Sequence, residues 1–395
     1  MRSKAKFMFV FMLSCIAALI IIYVGMCYYM NNGYLGLSYI DLNGHWVVRA
    51  HAIAPNKYEG KLITFPTVPW ALIIGQIFYA GFLPLNQAQI LNTLFHIAAY
   101  IFTMYLLYEL LKKDFEFSKI FILFMLPAAH FSFMYSLWWG NEGGIICLLM
   151  IDALLILKKN PYIAGIIISA CMCKPQITGI FCIMLLFMGK DGIKSIITAA
   201  IIDLAAWFAA ANINNISMIQ LLSDCFNSGA DDIGFNYLGL LHFLRFVGEN
   251  GVNKNIVLAL NMSIAIIFML VLYKYLKNNL RSEKLMTFAA YIPACIASTM
   301  WMYKNGTDYL VLIYPAAFAV ILCMYEKISR RDFNISLLCC TYLLLSRFLV
   351  YAGIVIYKTN LSRGIYKGID SLIIMIVGVI LCRLIVRNQE AFCSD

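Results

Sequence analysis

The sequence predicts an all-α protein, specifically a polytopic helical membrane protein with about twelve transmembrane helices. Hydrophobic residues make up 63% of the chain and charged residues only 13%, and the mean hydropathy is +0.82. Apolar runs recur along the whole length, which excludes a soluble globular protein. A bilayer offers no water to backbone groups, so spanning segments must form helices or closed barrels. The runs lack the alternating pattern of barrel strands, and a helical bundle is therefore expected.

The first apolar run, Phe7–Met30, indicates a retained transmembrane helix. It is about twice the length of a signal-peptide core, and no small-residue cleavage site follows it. Arg2, Lys4 and Lys6 precede it and keep the N-terminus in the cytoplasm. Helix 1 then exits to the outer face, and the segment 31–65 forms an external loop.

Loop charges orient the next three helices. The segment Phe65–Leu85 carries three prolines and is interpreted as interfacial or re-entrant, since this places the lysines after helix 2 (Gln87–Leu111) inside. Helix 3 (Ile120–Leu137) rises to a tryptophan pair at the outer interface. Helix 4 (Gly143–Leu157) returns and is about 22 Å long, which is short of a hydrocarbon core of about 30 Å.

The run Tyr162–Met188 is interrupted by Lys174, Pro175 and Gln176. Proline removes a backbone donor and disfavours helix at the preceding residue, so the run is predicted to form two short helices, 5 and 6, that turn at Lys174. Because neither arm crosses the bilayer, Lys174 must lie at membrane depth. A lysine is tolerated there only in a water-filled or protein-lined cavity.

Further apolar runs occur in the second half of the chain. Helix 7 (Ile196–Asn212) leads to a second external loop, Ile213–Asn255. The remaining predicted spans are Ile256–Tyr273, Leu285–Tyr303, Tyr309–Tyr325, Phe333–Tyr357 and Ile369–Val386. We interpret residues 1–395 as a single integral membrane domain. It comprises a catalytic core (7–212), an external loop (213–255) and C-terminal helices (256–395).

Charge and cysteine content narrow the function classes. The net charge of +10 comes from basic residues in short loops between apolar runs. This is the positive-inside pattern rather than a nucleic-acid-binding surface. The thirteen cysteines lie mostly within apolar runs and show no metal spacing. No phosphate-binding glycine loop or zinc motif occurs. The sequence therefore predicts no nucleic-acid partner, no metal site and no cofactor.

Four polar features are predicted to converge on the outer side of the membrane. They are the Asp41 stretch with Arg49 and His51, then Glu142, Lys174 and Asp308. A carboxylate can act as general base towards a hydroxyl, and cationic groups can neutralise a departing phosphate. Nucleotide donors are absent outside the cell, so a lipid-linked sugar donor is expected. Asp41 could equally cap an interfacial helix.

Other polar residues leave alternatives open. Asp152 and Asp203 lie inside apolar helices and would serve a transporter or flippase of lipid-linked or small polar substrates, although structural hydrogen bonds are the simpler interpretation. His96 is interpreted as an interhelical polar contact. A third alternative is a non-catalytic subunit of envelope assembly.

The order of short motifs is informative. They are Tyr39-Ile-Asp41, Tyr58-Glu-Gly-Lys-Leu-Ile-Thr-Phe65-Pro66, Gly140-Asn-Glu-Gly-Gly144, Pro161-Tyr-Ile-Ala-Gly165, Cys173-Lys174-Pro175-Gln176 and Asp308-Tyr-Leu followed by Tyr314-Pro315. This order resembles the polyprenyl-phosphate-sugar-dependent glycosyltransferases of the GT-C superfamily, closest to glycosyltransferase family 87. Two departures occur: many members carry Gly-Gln where this chain has Gly140-Asn141-Glu142, and the loop before Asp308 lacks an expected Ser-Pro and His.

The resemblance implies an inverting enzyme in a bacterial plasma membrane, with its active site on the extracytoplasmic side. It would transfer a hexose or pentose, mannose being the closest match, from a polyprenyl-phosphate donor to a lipid-linked or cell-envelope glycan acceptor. Asp41 would be the catalytic base, and Lys174 would contact the donor phosphate. The other expected substrate-binding residues are Arg49, His51, Glu142, Gln176 and Asp308. Donor, acceptor and membrane lipids are the expected partners.

Overall fold

The computed structural model describes residues 2–30, 83–111, 117–172, 174–213, 216–220, 240–247, 251–300, 306–356 and 359–392. Within these ranges the chain forms α-helices and short 3-10 segments, and no strand occurs in them. The all-α prediction is therefore confirmed. The α-helices are α1 (Arg2–Met30), α2 (Leu85–Leu111), α3 (Phe117–Phe124), α4 (Leu126–Ala129), α5 (Phe131–Trp139), α6 (Gly143–Ile156), α7 (Pro161–Cys171), α8 (Pro175–Leu186), α9 (Lys190–Ile213), α10 (Lys254–Asn279), α11 (Glu283–Ala289), α12 (Ile292–Ser298), α13 (Ile313–Met324), α14 (Arg330–Ile356) and α15 (Asn360–Arg387). The 3-10 segments are His242–Phe246, Gly306–Leu312 and Gln389–Ala391.

Among these helices, five are long and apolar enough to cross a membrane. Their spanning parts are Lys4–Ile22, Asn86–Glu109, Lys190–Ala209, Asn255–Asn279 and Leu361–Arg387. Large apolar side chains are exposed on these helices, such as Ile21 at 71% and Ile267 at 62%. Such faces suit contact with lipid, and the chain is a membrane protein.

The total of about twelve spans stays a prediction. The proposed first external loop, the segment 65–82 and most of the 213–255 loop lie outside the described residues.

Two predicted spans are not continuous helices. The span predicted at 120–137 is divided into α3, α4 and α5, and Pro127 stands in α4. The span predicted at 285–303 is divided into α11 and α12, and Pro293 stands in the first turn of α12. A proline lacks the N–H that would continue the helical hydrogen bonds of the preceding turn. The predicted continuity was wrong at both places for this reason.

The predicted interruption at Lys174 is present. Helix α7 ends at Cys171, and α8 begins at Pro175. Lys174 has φ −125° and ψ 76°, outside the helical region, as expected for a residue that precedes proline. The hydroxyl of Thr178 lies 2.6 Å from the Cys171 carbonyl oxygen and 3.1 Å from that of Lys174, so a side chain of α8 contacts the backbone on both sides of the break.

The chain forms two compact units. The first comprises Met1–Tyr23, Met104–Met134 and Tyr237–Asp395, and the second comprises Val24–Thr103 and Tyr135–Asn236. In the first unit, the buried carboxylate of Asp332 accepts hydrogen bonds from Arg387 at 3.0 Å and from Asn388 at 3.3 Å. These contacts join the start of α14 to the end of α15.

In the second unit, α7 packs closely against α9 through Gly165. A Cβ atom added at Gly165 would lie 2.6 Å from the carbonyl oxygen of Ser195 and 2.6 Å from Cβ of Thr198. Small residues allow membrane helices to approach in this way. The contact fixes α7, which leads directly to the break at Lys174.

Substitution Gly165→Ala is expected to destabilise the protein, because the added methyl group must displace the backbone of α9. Overpacking of this kind costs about 1–3 kcal/mol. Thermal unfolding of the detergent-solubilised protein, followed by tryptophan fluorescence, measures the effect. The matched control is Ile166→Ala on the same helix, since Ile166 is 54% exposed. Equal unfolding temperatures for the two variants would show that the close approach is not a constraint.

Candidate active site

The structure describes four of the seven residues predicted for the site. Asp41, Arg49 and His51 lie outside the described residues. Asp308 belongs to the first unit, where it is fully buried in the 3-10 segment Gly306–Leu312. The other three, which are Glu142, Lys174 and Gln176, belong to the second unit.

A tight turn between α5 and α6 positions Asn141 and Glu142. Gly140 has φ +66°, a left-handed conformation that favours glycine. The backbone N–H of Asn141 donates to the carbonyl oxygen of Ser136 at 3.1 Å. The side-chain oxygen of Asn141 accepts from the N–H of Gly143 at 2.8 Å, at the start of α6. The turn therefore places both side chains at the N-terminus of α6.

Lys174 reaches this turn from the break between α7 and α8. Its ammonium group donates to Oδ1 of Asn141 at 2.7 Å, and its Nζ atom lies 3.9 Å from Oε1 of Glu142. Asn141, Glu142 and Lys174 are 3%, 8% and 7% exposed. Buried charges are stable only when they are paired and hydrogen-bonded, and this ammonium has both kinds of partner. Glu142 and Lys174, two of the four features expected to converge, are thus in contact, and their role in substrate binding stays a prediction.

The helix termini add to the positive charge at Lys174. Glu142 directly precedes α6, and Lys174 directly precedes α8. The N-terminus of a helix carries a partial positive charge, and its first N–H groups can bind an anion. Gln176 lies in the first turn of α8 and is half-buried. The N–H groups of Gly143 and Gly144 already donate to Asn141 and Ser136, so the contribution of the helix N-termini is their partial charge. Together with the ammonium, this charge favours an anionic group such as a phosphate.

Two buried side chains, His96 and Ser136, contact the backbone carbonyl oxygen of Asn141. Ring nitrogen Nε2 of His96 on α2 lies 3.1 Å from the carbonyl oxygen of Asn141 and 2.9 Å from Oγ of Ser136 on α5. The Ser136 hydroxyl donates to the same carbonyl oxygen at 2.6 Å and accepts from the N–H of Gly144 at 3.1 Å. The interhelical contact expected for His96 is confirmed, whereas Ser136 and Asn141 were not predicted as site residues.

Aromatic rings pack together immediately before the turn. The ring centroids of Tyr135 and Trp139 are 5.1 Å apart, and those of Trp138 and Trp139 are 5.9 Å apart. Such a cluster is rigid because the rings are large and closely packed. It gives the end of α5 a fixed position, from which the turn at Gly140 begins.

The two intramembrane carboxylates of the transporter alternative have different surroundings. Asp203 on α9 accepts a hydrogen bond from the Ser169 hydroxyl on α7 at 2.9 Å, which agrees with a structural role. Asp152 on α6 is fully buried, and its carboxylate faces the side chain of Thr103 on α2. The described part of the chain contains no group of three His, Cys, Asp or Glu side chains that could hold a metal ion.

Comparison with known proteins adds an independent finding. The sequence model of glycosyltransferase family 87 matches residues 63–351, which is more than half of the chain. No curated protein and no solved structure matches the chain. The matched range contains Glu142, Lys174 and Gln176, and it extends past Asp308. The chain therefore belongs to glycosyltransferase family 87 and is a membrane glycosyltransferase.

Proposed function

We propose that this glycosyltransferase transfers a hexose or pentose, mannose being the first candidate, from a polyprenyl-phosphate donor. The acceptor is a lipid-linked or cell-envelope glycan, and the reaction takes place on the outer face of a bacterial plasma membrane. The observation that carries the proposal is the buried Lys174 ammonium at the N-termini of α6 and α8, within a chain of this family.

The charge at Lys174 suits a phosphate that leaves. In a polyprenyl-phosphate sugar the phosphate is a diester with one negative charge, and it becomes a monoester with an additional charge when the sugar departs. A fixed ammonium and two helix N-termini stabilise that added charge more than they stabilise the bound donor. An interaction that is stronger in the transition state accelerates the reaction. Glu142 balances part of the Lys174 charge before the donor binds.

In the proposed reaction, an acceptor hydroxyl oxygen attacks the anomeric carbon from the side opposite the phosphate. A new carbon–oxygen bond forms while the bond from the anomeric carbon to the phosphate oxygen breaks. The hydroxyl proton passes to the Asp41 carboxylate, and polyprenyl phosphate leaves with the bonding electron pair. The anomeric configuration is inverted. Arg49, His51 and Gln176 complete the proposed substrate-binding set, and the substrate contact of Asp308 stays a prediction from the sequence.

The test uses the purified full-length protein in liposomes. Polyprenyl-phosphate mannose, polyprenyl-phosphate arabinose and GDP-mannose are supplied separately, each with a lipid extract from bacterial envelopes as acceptor. We expect sugar transfer from a polyprenyl-phosphate donor only, and a product whose anomeric configuration is inverted. Transfer from GDP-mannose alone would overturn the proposed donor class, and retained configuration would overturn the single displacement.

A further inference from the structure

We propose that His96 and Ser136 are positioning residues that hold Asn141 in place, and that Asn141 in turn directs the Lys174 ammonium towards the donor phosphate. This inference rests on the proposed function, because it assigns to Lys174 a contact with that phosphate. Neither residue is near Lys174 in sequence. Both contact the carbonyl oxygen of Asn141, and the side chain of Asn141 contacts Lys174. Their effect would pass through the backbone of Asn141.

His96, Ser136 and Asn141 form a triangle of hydrogen-bonding atoms. The three atoms Nε2 of His96, Oγ of Ser136 and the carbonyl oxygen of Asn141 are separated by 2.9, 3.1 and 2.6 Å. His96 and Ser136 are both fully buried. Hydrogen bonds between buried groups are strong, and a buried partner that is left unsatisfied is costly. The carbonyl group of Asn141 is therefore fixed.

Three helices, α2, α5 and α6, anchor the triangle. His96 is part of α2, and the tautomer that carries its proton on Nε2 donates to the triangle, because a neutral imidazole has a single N–H and the Asn141 carbonyl oxygen can only accept. Ser136 is part of α5, and its Oγ atom accepts from the N–H of Gly144 on α6. A Cβ atom at Gly144 would lie 2.4 Å from the Ser136 Oγ, so only glycine allows this approach. The Asn141 backbone is consequently held by rigid elements.

The Asn141 side chain links its own backbone to the ammonium group of Lys174. The Asn141 side chain has two partners on its oxygen, which are the N–H of Gly143 at 2.8 Å and the ammonium group of Lys174 at 2.7 Å. A lysine side chain has four rotatable carbon–carbon bonds and is not directed by its own backbone. The 2.7 Å hydrogen bond supplies the direction. Catalytic groups must be held within a fraction of an ångström of the productive geometry, so movement of Asn141 reduces the contact with phosphate.

Two substitutions at position 96 distinguish a positioning role of His96 from a general contribution to protein stability. Position 96 needs a group that can hydrogen-bond at the place of Nε2, and position 136 needs a hydroxyl. Gln at position 96 places an amide nitrogen near that point, whereas Leu fills the volume without a hydrogen bond. If the proposal is correct, His96→Gln retains donor recognition and His96→Leu loses it, although both variants keep a buried side chain.

The test compares steady-state kinetics of reconstituted full-length variants with polyprenyl-phosphate mannose as donor. Ser136→Ala and His96→Leu are expected to lower kcat/KM for the donor about tenfold, equivalent to about 1.4 kcal/mol. The KM of the acceptor is expected to stay within about twofold, and His96→Gln is expected to recover most of the loss. The matched control is Ser169→Ala, which removes another buried hydroxyl of the same unit, bonded to Asp203 instead.

A double-mutant cycle completes the test. In the background of Lys174→Met, Ser136→Ala is expected to cause no further loss, because the residue it positions is already absent. Full additivity in that background, or an unchanged donor kcat/KM in both Ser136→Ala and His96→Leu, would overturn the positioning role. If Lys174→Met itself leaves the donor kcat/KM unchanged, the proposed phosphate contact fails instead. The two failures are therefore distinguishable.

Discussion

Substitution Asp41→Asn is expected to lower the kcat of sugar transfer about a thousandfold. A positioned general base contributes about 10²–10⁴ to the rate, and a carboxamide cannot accept the proton of the acceptor hydroxyl at neutral pH. The donor is expected to bind with nearly unchanged affinity, because Lys174 and the termini of α6 and α8 are intact. Turnover in liposomes and donor binding in detergent measure the two quantities separately.

Asn43→Ala is the matched control for Asp41→Asn, because it removes a polar side chain two residues further along the same stretch. Its kcat is expected to stay near that of the unmodified protein. Normal turnover in Asp41→Asn or in Asp41→Ala would exclude Asp41 as the base. Labelling of Asn43→Cys from the cytoplasmic side alone, with a membrane-impermeant maleimide, would contradict the proposed outer location of the site.

The sequence was sufficient to predict the features that depend on composition or on a local rule. Long apolar runs predicted the helical class. The Lys174-Pro175 pair predicted the break between α7 and α8, since proline restricts the residue before it. Loop charges then predicted that Glu142 and Lys174 lie on the same side of the membrane. In the structure, the Nζ atom of Lys174 lies 3.9 Å from the Oε1 atom of Glu142. Each of these inferences used neighbouring residues or a single overall rule.

The sequence was insufficient where the outcome depends on tertiary contacts. A proline within an apolar run can kink a membrane helix or divide it, and the choice depends on how neighbouring helices satisfy the freed backbone groups. The runs that contain Pro127 and Pro293 are divided, and their local sequence does not distinguish that outcome from a kink.

The polar triangle around Asn141 was unpredictable for a related reason. Its members come from α2, α5 and the turn before α6, and His96 is 45 residues from Asn141. No periodicity or motif connects positions so far apart. The only local signal was the sequence Gly140-Asn-Glu-Gly-Gly144, which indicates a turn but not the partners of its atoms.

Substitution Lys174→Met is expected to lower the donor kcat/KM about a hundredfold, the size of the effect when a charge-stabilising group is removed. The KM of the acceptor is expected to change little. The variant is also expected to unfold at a lower temperature, because the buried Glu142 carboxylate would lose the ammonium group that lies 3.9 Å from it. Breaking a buried pair from one side costs about 3 kcal/mol or more. Kinetics with varied donor and thermal unfolding of the same preparation measure both effects.

The double variant Lys174→Met/Glu142→Gln separates these two effects. Glutamine removes the buried charge at position 142, where the side chain is only 11% exposed, so most of the thermal stability lost with the Lys174 ammonium is expected to return. The donor kcat/KM is expected to remain low, since no ammonium faces the phosphate. If turnover recovers together with stability, Lys174 serves only to neutralise Glu142, and the phosphate must be bound elsewhere. If stability recovers alone, the ammonium acts on the donor.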